Sequence, residues 1–401
     1  MSGTATEGTW RELLAGIERV LDVHDSASQR RALIPLARAY RRLDDDGRAA
    51  FLRSAAADLG VDPAAARSAA AALLEDPSDP GAQVALREAL TPRFADLLHL
   101  LTGLPGGVKL LVDLRADLRQ LVRGELPMVE LELAGHLATV FDVGLLRLER
   151  ITWQSPAGLL EKLIEYEAVH EIRGWADLRD RLDTDRRCFA FLHPAMPGEP
   201  VVFVEIALTT GTPEGLGEVL DPSAPRSRPE EADTAVFYSI TSCQAGLAGI
   251  NLGNELLKTV VGELRRELPG LRRFVTLSPI PSLRDAELDL PDDVRGRLED
   301  PTWLEGDDED LRAAALPATA RYLTTFDGGR VRDPVANFHL SNGALVDALR
   351  WRANTEDYGL ERSWGVMASY RYDPDRIAAN AAAYDAGEAV ATSEEIQALL
   401  G

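Results

Sequence analysis

Two side chains in this 401-residue sequence are of the right type to move a proton or steady a developing charge, and each has informative neighbours. His339 lies in Asp333-Pro-Val-Ala-Asn337-Phe-His339-Leu-Ser-Asn342-Gly343-Ala, where two carboxamides and a glycine surround one imidazole. An imidazole held by amides titrates near neutrality and suits general acid–base work. The same letters equally describe a histidine hydrogen-bonded in a turn. Ser278 opens Ser278-Pro-Ile-Pro281 directly after the apolar run Phe274-Val-Thr-Leu277. Ligands of open α/β sheets gather at the carboxyl ends of strands, although Ser-Pro by itself is a turn initiator. There is no Gly-x-Ser-x-Gly elbow, which excludes an α/β-hydrolase serine. His24, His99, His136, His170 and His193 form no His-x-His or His-Glu-x-x-His arrangement, so no histidine-based metal site is expected. His193, in the proline-rich Leu192-His-Pro-Ala-Met-Pro-Gly-Glu-Pro200, reads as structural.

A third feature could hold an anion. In Gln244-Ala-Gly246-Leu-Ala248-Gly249-Ile250-Asn251-Leu252-Gly253-Asn254, glycines link a strand ending near Ile240 to a helix with apolar positions at Ile250, Leu257, Val260, Val261 and Leu264. Such a helix start offers unpaired N–H groups and a partial positive charge, and glycine lets the backbone approach a pyrophosphate closely. The plainer reading is that Gly246 and Gly249 close a tight turn while Gly253 permits close helix packing. Gly-x-Gly-x-x-Gly is absent, as is Gly-Lys-Ser/Thr, so neither a dinucleotide fingerprint nor a P-loop is present.

These residues need elements to carry them. Up to about residue 145, Ala, Leu, Arg and Glu dominate, with Leu110, Leu111, Leu114, Leu118 and Leu121 at helical spacing. Turn residues at 25–28, 44–47, 60–63, 76–81, 103–107 and 124–127 divide this region into seven or eight helices. Beyond residue 150, Val201-Val-Phe-Val-Glu-Ile-Ala-Leu208, Ala235-Val-Phe-Tyr-Ser-Ile240 and Phe274-Val-Thr-Leu277 read as buried strands. Residues 211–233 form a surface excursion, and the acidic stretch 285–312 forms short solvated helices. The organisation is therefore an all-helical domain over 1–145 followed by an α/β domain over 146–401, which carries the chemistry.

Composition narrows the partners. Forty-three basic against 65 acidic residues give a net charge of -22, which disfavours nucleic acid and anionic membrane. Any anion must then be met locally, by oriented amides or a few basic side chains; Lys258, Arg272 and Arg273 are candidates. Two cysteines, Cys188 and Cys243, are too few for a disulfide framework. No signal peptide, membrane span or peroxisomal tripeptide is evident, and a reducing cytoplasm is the expected location.

Gln-x-Gly-x-x-Gly is similar to the pyrophosphate turn of acyl-CoA N-acyltransferase-like folds. Taken with Leu148-Glu-Arg-Ile-Thr-Trp153, Tyr166-Glu-Ala-Val-His170, Pro197-Gly-Glu-Pro200, Phe237-Tyr-Ser-Ile240, Leu277-Ser-Pro-Ile-Pro281, Pro334-Val-Ala-Asn-Phe-His-Leu340, Asn342-Gly-Ala344 and Met367-Ala-Ser-Tyr-Arg-Tyr372, the sequence resembles the malonyl-CoA decarboxylase family over residues 147–373. The resemblance implies a helical domain that forms a dimer or tetramer and an acyltransferase-like α/β domain. It implies conversion of malonyl-CoA to acetyl-CoA and carbon dioxide by a catalytic Ser278 and His339, supported by Asn337, Asn342 and Tyr372. Coenzyme A enters as part of the substrate, and neither metal nor cofactor is implied. The substrate-binding residues implied are Gln244, Gly246, Ala248, Gly249, Ile250, Asn251, Leu252, Gly253, Asn254 and Leu257. At Asn251 animal members carry a glutamate near the reactive pair; an amide cannot act as a base, though it can donate to a carboxylate. An acyl-CoA-dependent acyltransferase and a non-catalytic acyl-CoA sensor are the competing readings, separable by acceptor-dependent release of coenzyme A and by binding without turnover.

Overall fold

Aspartates set the helix starts of the first third of the chain. Asp25, Asp44, Asp62 and Asp79 each accept from backbone N–H groups of the adjoining turn, the arrangement that satisfies donors left over at a helix N-terminus. Pro63 and Pro80 come after two of them at the first helical position, where the missing N–H costs nothing. A computed structural model of the chain describes all residues except Met1, Ser2, His24, Asn251 and Asp307; the side chains of residues 3–8, Asn254 and Pro301 are also outside the description. Among the described residues this region holds eight helices: α1 (Gly3–Leu21), α2 (Ser26–Tyr40), α3 (Asp45–Asp58), α4 (Pro63–Glu75), α5 (Pro80–Leu90), α6 (Arg93–Thr102), α7 (Gly107–Leu121) and α8 (Pro127–Val140). Their apolar stripes meet in a core that includes Leu14, Leu33, Phe51, Leu52, Leu98, Leu111, Leu133 and Leu137. None is long and apolar enough to cross a membrane, and neither is any other described helix.

The chain divides into two compact units that no single cut separates. The first comprises residues 1–147 with the segments 192–201 and 242–251; the second comprises 148–191, 202–241 and 252–401. Within the first unit the glycine turn lies on α7. A Cβ on Gly246 would stand 1.9 Å from the carbonyl oxygen of Val112, and the Gly246 carbonyl accepts from the buried Arg115 guanidinium at 2.7 Å. Gln244 donates its amide N–H to the Pro200 carbonyl at 2.9 Å, and His193 bonds the Val140 carbonyl at 3.0 Å, as a structural histidine would.

The second unit is built on a mixed sheet ordered β1-β2-β3-β4-β5-β10-β6, with β9 also paired to β10. Its strands are β1 (Arg147–Ile151), β2 (Arg186–Leu192), β3 (Pro200–Thr209), β4 (Thr234–Ser242), β5 (Arg273–Thr276), β6 (Ser278–Pro279), β9 (Leu345–Arg350) and β10 (Met367–Arg371); β7 (Phe326–Asp327) and β8 (Arg330–Val331) form a separate hairpin. The expected runs at 201–208, 235–240 and 274–277 fall on β3, β4 and β5. Strands β4 and β5 run parallel from Thr234↔Arg273 to Phe237↔Thr276, and the Leu277 N–H to Phe237 carbonyl bond at 3.1 Å is the last rung. Strand β4 then continues to Ser242, and Ser239 and Thr241 donate to the Glu167 carboxylate at 2.8 and 2.9 Å. The β5 chain, already paired with β10 at Val275↔Arg371, then parts from β4 and continues along β10, Ser278 pairing with Ala368 and Pro279 with Met367. Pro279 is tolerated because β6 no longer has β4 as a neighbour and needs no donor on that side.

Two helices of this unit bear on the chemistry, α12 (Leu252–Glu267) and α15 (Pro334–Ser341). The segment around His339 is helical rather than a turn. Asp333 caps it by accepting from Val335 and Ala336 at 3.0 and 2.9 Å, and Pro334 occupies its first turn. Gly343 closes it at φ +81, with a would-be Cβ 2.1 Å from the Ile377 carbonyl oxygen, so glycine is required there twice over.

Backbone does not yield as a flexible side chain can. Gly246→Ala is therefore expected to destabilise the first unit by about 1–3 kcal/mol or more, read as a lower midpoint in chemical or thermal unfolding. A variant within about 0.5 kcal/mol of the native protein would show that the approach to α7 is not tight.

Candidate active site

The alternation of side chains along a strand assembles one polar face. Thr276 and Ser278 lie two residues apart, as do Tyr370 and Tyr372, and these pairs belong to neighbouring strands at the point where β5 leaves β4. His339, on α15, completes the cluster. Ser278 Oγ is 3.2 Å from His339 Nε2, and Tyr372 Oη is 2.8 Å from His339 Nδ1. Tyr370 stacks on the imidazole, with ring centroids 4.5 Å apart and 22° between planes. Ser278 also donates its hydroxyl to Thr276 Oγ1 at 2.9 Å. The same Thr276 oxygen accepts the Tyr370 backbone N–H at 3.1 Å, beside a register shift between Ser369 and Tyr370.

Burial decides the charge state. His339 is 2 % exposed and Ser278 6 %, and with no carboxylate beside it burial pushes the imidazole down to about 3. It is neutral at physiological pH, so one ring nitrogen donates and the other accepts. Burial likewise pushes the Tyr370 and Tyr372 hydroxyls upward, so both stay protonated.

The expected supporting residues separate. Tyr372 touches the imidazole directly. Asn342 is buried, and neither atom of its side-chain amide has a partner within the protein; the same holds for Ser369 Oγ and Tyr370 Oη. A buried amide without a partner costs roughly 1–3 kcal/mol per group, an expense that a folding role does not explain. Asn337 sits two residues before His339, hence roughly 200° round α15, and its carbonyl oxygen accepts from Tyr384 Oη at 2.8 Å and from Arg330 at 3.5 Å. These contacts tie α15 to Tyr384 and Arg330.

The glycine-turn residues separate too. Gln244, Gly246, Leu252 and Leu257 are buried. Ala248 and Gly249 are exposed and Ile250 is half-buried. Asn251 lies outside the described residues, as does the side chain of Asn254. Gly253 lies against Phe338, whose ring carbons would stand 3.0–3.1 Å from a Cβ there. The first turn of α12 is thus packed on the immediate neighbour of His339. Thr276, Ser369 and Tyr370 do not stand out in the sequence. The two-residue spacings Thr276–Ser278 and Tyr370–Tyr372 are the signal that could have found them. Among the described residues no cluster of three or more His, Cys, Asp or Glu side chains could hold a metal ion, and both cysteines are buried and outside any disulfide.

Comparison with known proteins agrees along nearly the whole chain. Family models described as the C-terminal and N-terminal domains of malonyl-CoA decarboxylase match residues 144–401 and 59–141. The mitochondrial malonyl-CoA decarboxylase of Anser anser anser is 34 % identical over 90 % of this chain and 81 % of its own length; that of Rattus norvegicus is 35 % identical over 79 % and 72 %. The crystal structure of malonyl-CoA decarboxylase from Agrobacterium vitis superposes with a TM-score of 0.92 at 38 % identity, covering 97 % of this chain and 100 % of that one.

A neutral buried imidazole carries a pH signature. The folded-state value lies below the unfolded one, so the unfolded chain binds the extra proton first as pH falls below about 6.5. His339 should therefore withdraw roughly 1 kcal/mol of stability per pH unit between about 6 and 4. Melting temperature against pH is expected to slope less in His339→Gln than in the native protein over that window. Parallel slopes would mean that the imidazole is already charged or solvated in the fold.

Proposed function

The chain belongs to the malonyl-CoA decarboxylase family, and we propose that Ser278 and His339 are the pair through which it converts malonyl-CoA to acetyl-CoA and carbon dioxide. The observation that carries this reading is their 3.2 Å contact within a buried polar face.

The chemistry asks little beyond what these residues offer. When the carboxylate leaves malonyl-CoA as carbon dioxide, its bonding electrons pass to the α-carbon and are held by the thioester carbonyl as an enolate. The substrate supplies its own electron sink, so no metal or organic cofactor is required. The protein must stabilise the enolate oxygen and return one proton to carbon. A preorganised donor at a developing oxyanion is typically worth roughly 3–4 kcal/mol, and the buried, unpartnered Asn342 amide is the donor proposed for that part. The substrate's own carboxylate, brought beside His339, raises the proton affinity of the imidazole. The ring takes one proton from solvent and delivers it to the α-carbon, which balances each carbon dioxide released.

The positive end of α12 supports the binding half of the reading. Its first-turn N–H groups favour negative charge, and Gly253 against Phe338 packs that turn on the helix that carries His339. Self-association is proposed for the helical unit, whose Leu74, Val84, Leu90, Met128 and Leu131 are all at least half exposed.

The deciding measurement is carbon dioxide release from malonyl-CoA by the purified protein, with EDTA present and no acyl acceptor. Stoichiometric acetyl-CoA is expected. His339→Gln and Ser278→Ala are each expected to lower kcat by roughly a hundred- to ten-thousand-fold. Near-native turnover in both variants would remove the pair from the mechanism, and coenzyme A release that requires an acceptor would move the protein to acyl transfer.

A further inference from the structure

We propose that Thr276 is a positioning residue for this reaction: by taking the Ser278 hydroxyl proton it fixes His339 with its own proton on Nε2 and with Nδ1 as the acceptor from Tyr372. The inference rests on the reading of Ser278 and His339 as the working pair, and adds to it a residue and a direction of proton flow.

A serine hydroxyl carries one proton and two lone pairs. In this structure that proton goes to Thr276 Oγ1 at 2.9 Å, so toward the imidazole Ser278 can act only as an acceptor. The partner at 3.2 Å, His339 Nε2, must then carry hydrogen. Because the buried ring is neutral, Nδ1 is bare, and the Tyr372 hydroxyl at 2.8 Å is the donor to it. Every proton in the row points the same way, from Tyr372 through His339 and Ser278 to Thr276.

Thr276 is held to this part by its backbone neighbours. Its side-chain oxygen also accepts the Tyr370 N–H at 3.1 Å, so both lone pairs are in use and both incoming protons are fixed in direction. The residue is 1 % exposed, and water cannot freely take over either bond. The transferable proton consequently sits on the nitrogen that faces Ser278 before the substrate loses its carboxylate, and the charging proton from solvent enters at Nδ1. Delivery breaks the Nε2–H bond and forms the C–H bond of the acetyl group; the ring, left with its proton on Nδ1, gives that proton up to solvent and takes one at Nε2 before the next turnover.

Three proteins and two readouts test this. Thr276→Val keeps the shape of the side chain and removes the acceptor. It is expected to lower kcat on the order of tenfold to a hundredfold, the scale of a displaced catalytic group, with KM for malonyl-CoA little changed. Thr276→Ser restores the hydroxyl and is expected to recover most of the loss. Nitrogen-15 spectra of histidine-labelled native protein, with the His339 signals assigned by their absence in His339→Gln, are expected to show a protonated Nε2 and a bare Nδ1. In Thr276→Val the population is expected to shift toward Nδ1–H. A native protein with Nδ1 protonated would overturn the proposal without any variant, even if Thr276→Val does not fold. So would native kcat in Thr276→Val, or a Thr276→Ser as slow as the valine variant. Full activity in both Ser278→Ala and His339→Gln would instead defeat the reading of the pair, while the tautomer remained as measured.

Discussion

One hydrogen bond marks where the sheet stops being a scaffold and becomes a site: the Leu277 N–H to the Phe237 carbonyl, the last rung between two parallel strands. Had β5 stayed with β4, the residue after Leu277 would be another rung, its side chain packed in the regular pleat. Because the chain instead parts from β4 while staying on β10, Ser278 stands at the edge of the parting, with Thr276 one pleat below and Ala368 opposite. On the same side of β10, the Tyr370 N–H is accepted by the Thr276 side chain. A backbone donor and a side-chain hydroxyl hold each other, and that hydroxyl is the one Ser278 leans on.

A second constraint comes from placing an imidazole inside this face. Among neutral tyrosine hydroxyls and with no carboxylate beside it, His339 must be neutral, and its ring can direct its two nitrogens only through what they touch. A catalytic triad would put an acid on Nδ1 and so define the base. Here a phenol does that part, and a phenol donates as readily as it accepts. The direction is settled at the far end, by Thr276. The arrangement also suits a reaction whose substrate brings the missing charge: the malonyl carboxylate raises the proton affinity of the ring when it is bound and leaves as a neutral gas when it is not needed.

Much of this is legible in the letters, unevenly. The helical first part can be read because capping aspartates and heptad-like leucines are local signals, and the eight helices stand where the breaks at 25–28, 44–47 and 60–63 put them. Strands β3, β4 and β5 announce themselves as runs of Val, Phe and Ile. The segment around His339 reads as a turn because its amides and glycine look like one. The Asp333-Pro334 cap that makes it a helix is a two-residue signal easily outweighed by the glycine at 343. Asn337 and Asn342 are chemically identical in sequence, and only the phase of α15 and its close at Gly343 separate a tether to Tyr384 from an amide kept unpartnered. Thr276 carries no sequence motif; its part depends on a backbone N–H more than ninety residues away in the chain.

The glycine turn shows why spacing alone could not settle binding. Gly246 fits the pattern of a pyrophosphate cradle, yet its missing Cβ is needed for the Val112 carbonyl and its own carbonyl is taken by Arg115. Gly253 fits the same pattern, and what approaches it is the Phe338 ring. Each glycine answers to protein before it answers to any ligand. Ala248 and Gly249 remain exposed. In a protein of net charge -22 an anion would have to be met at contact range by oriented amides, where the repulsive field of the whole molecule is small against a few well-aimed dipoles. A cradle of lysines would have announced itself in the composition; a cradle of backbone does not. The glycine pattern itself records close packing.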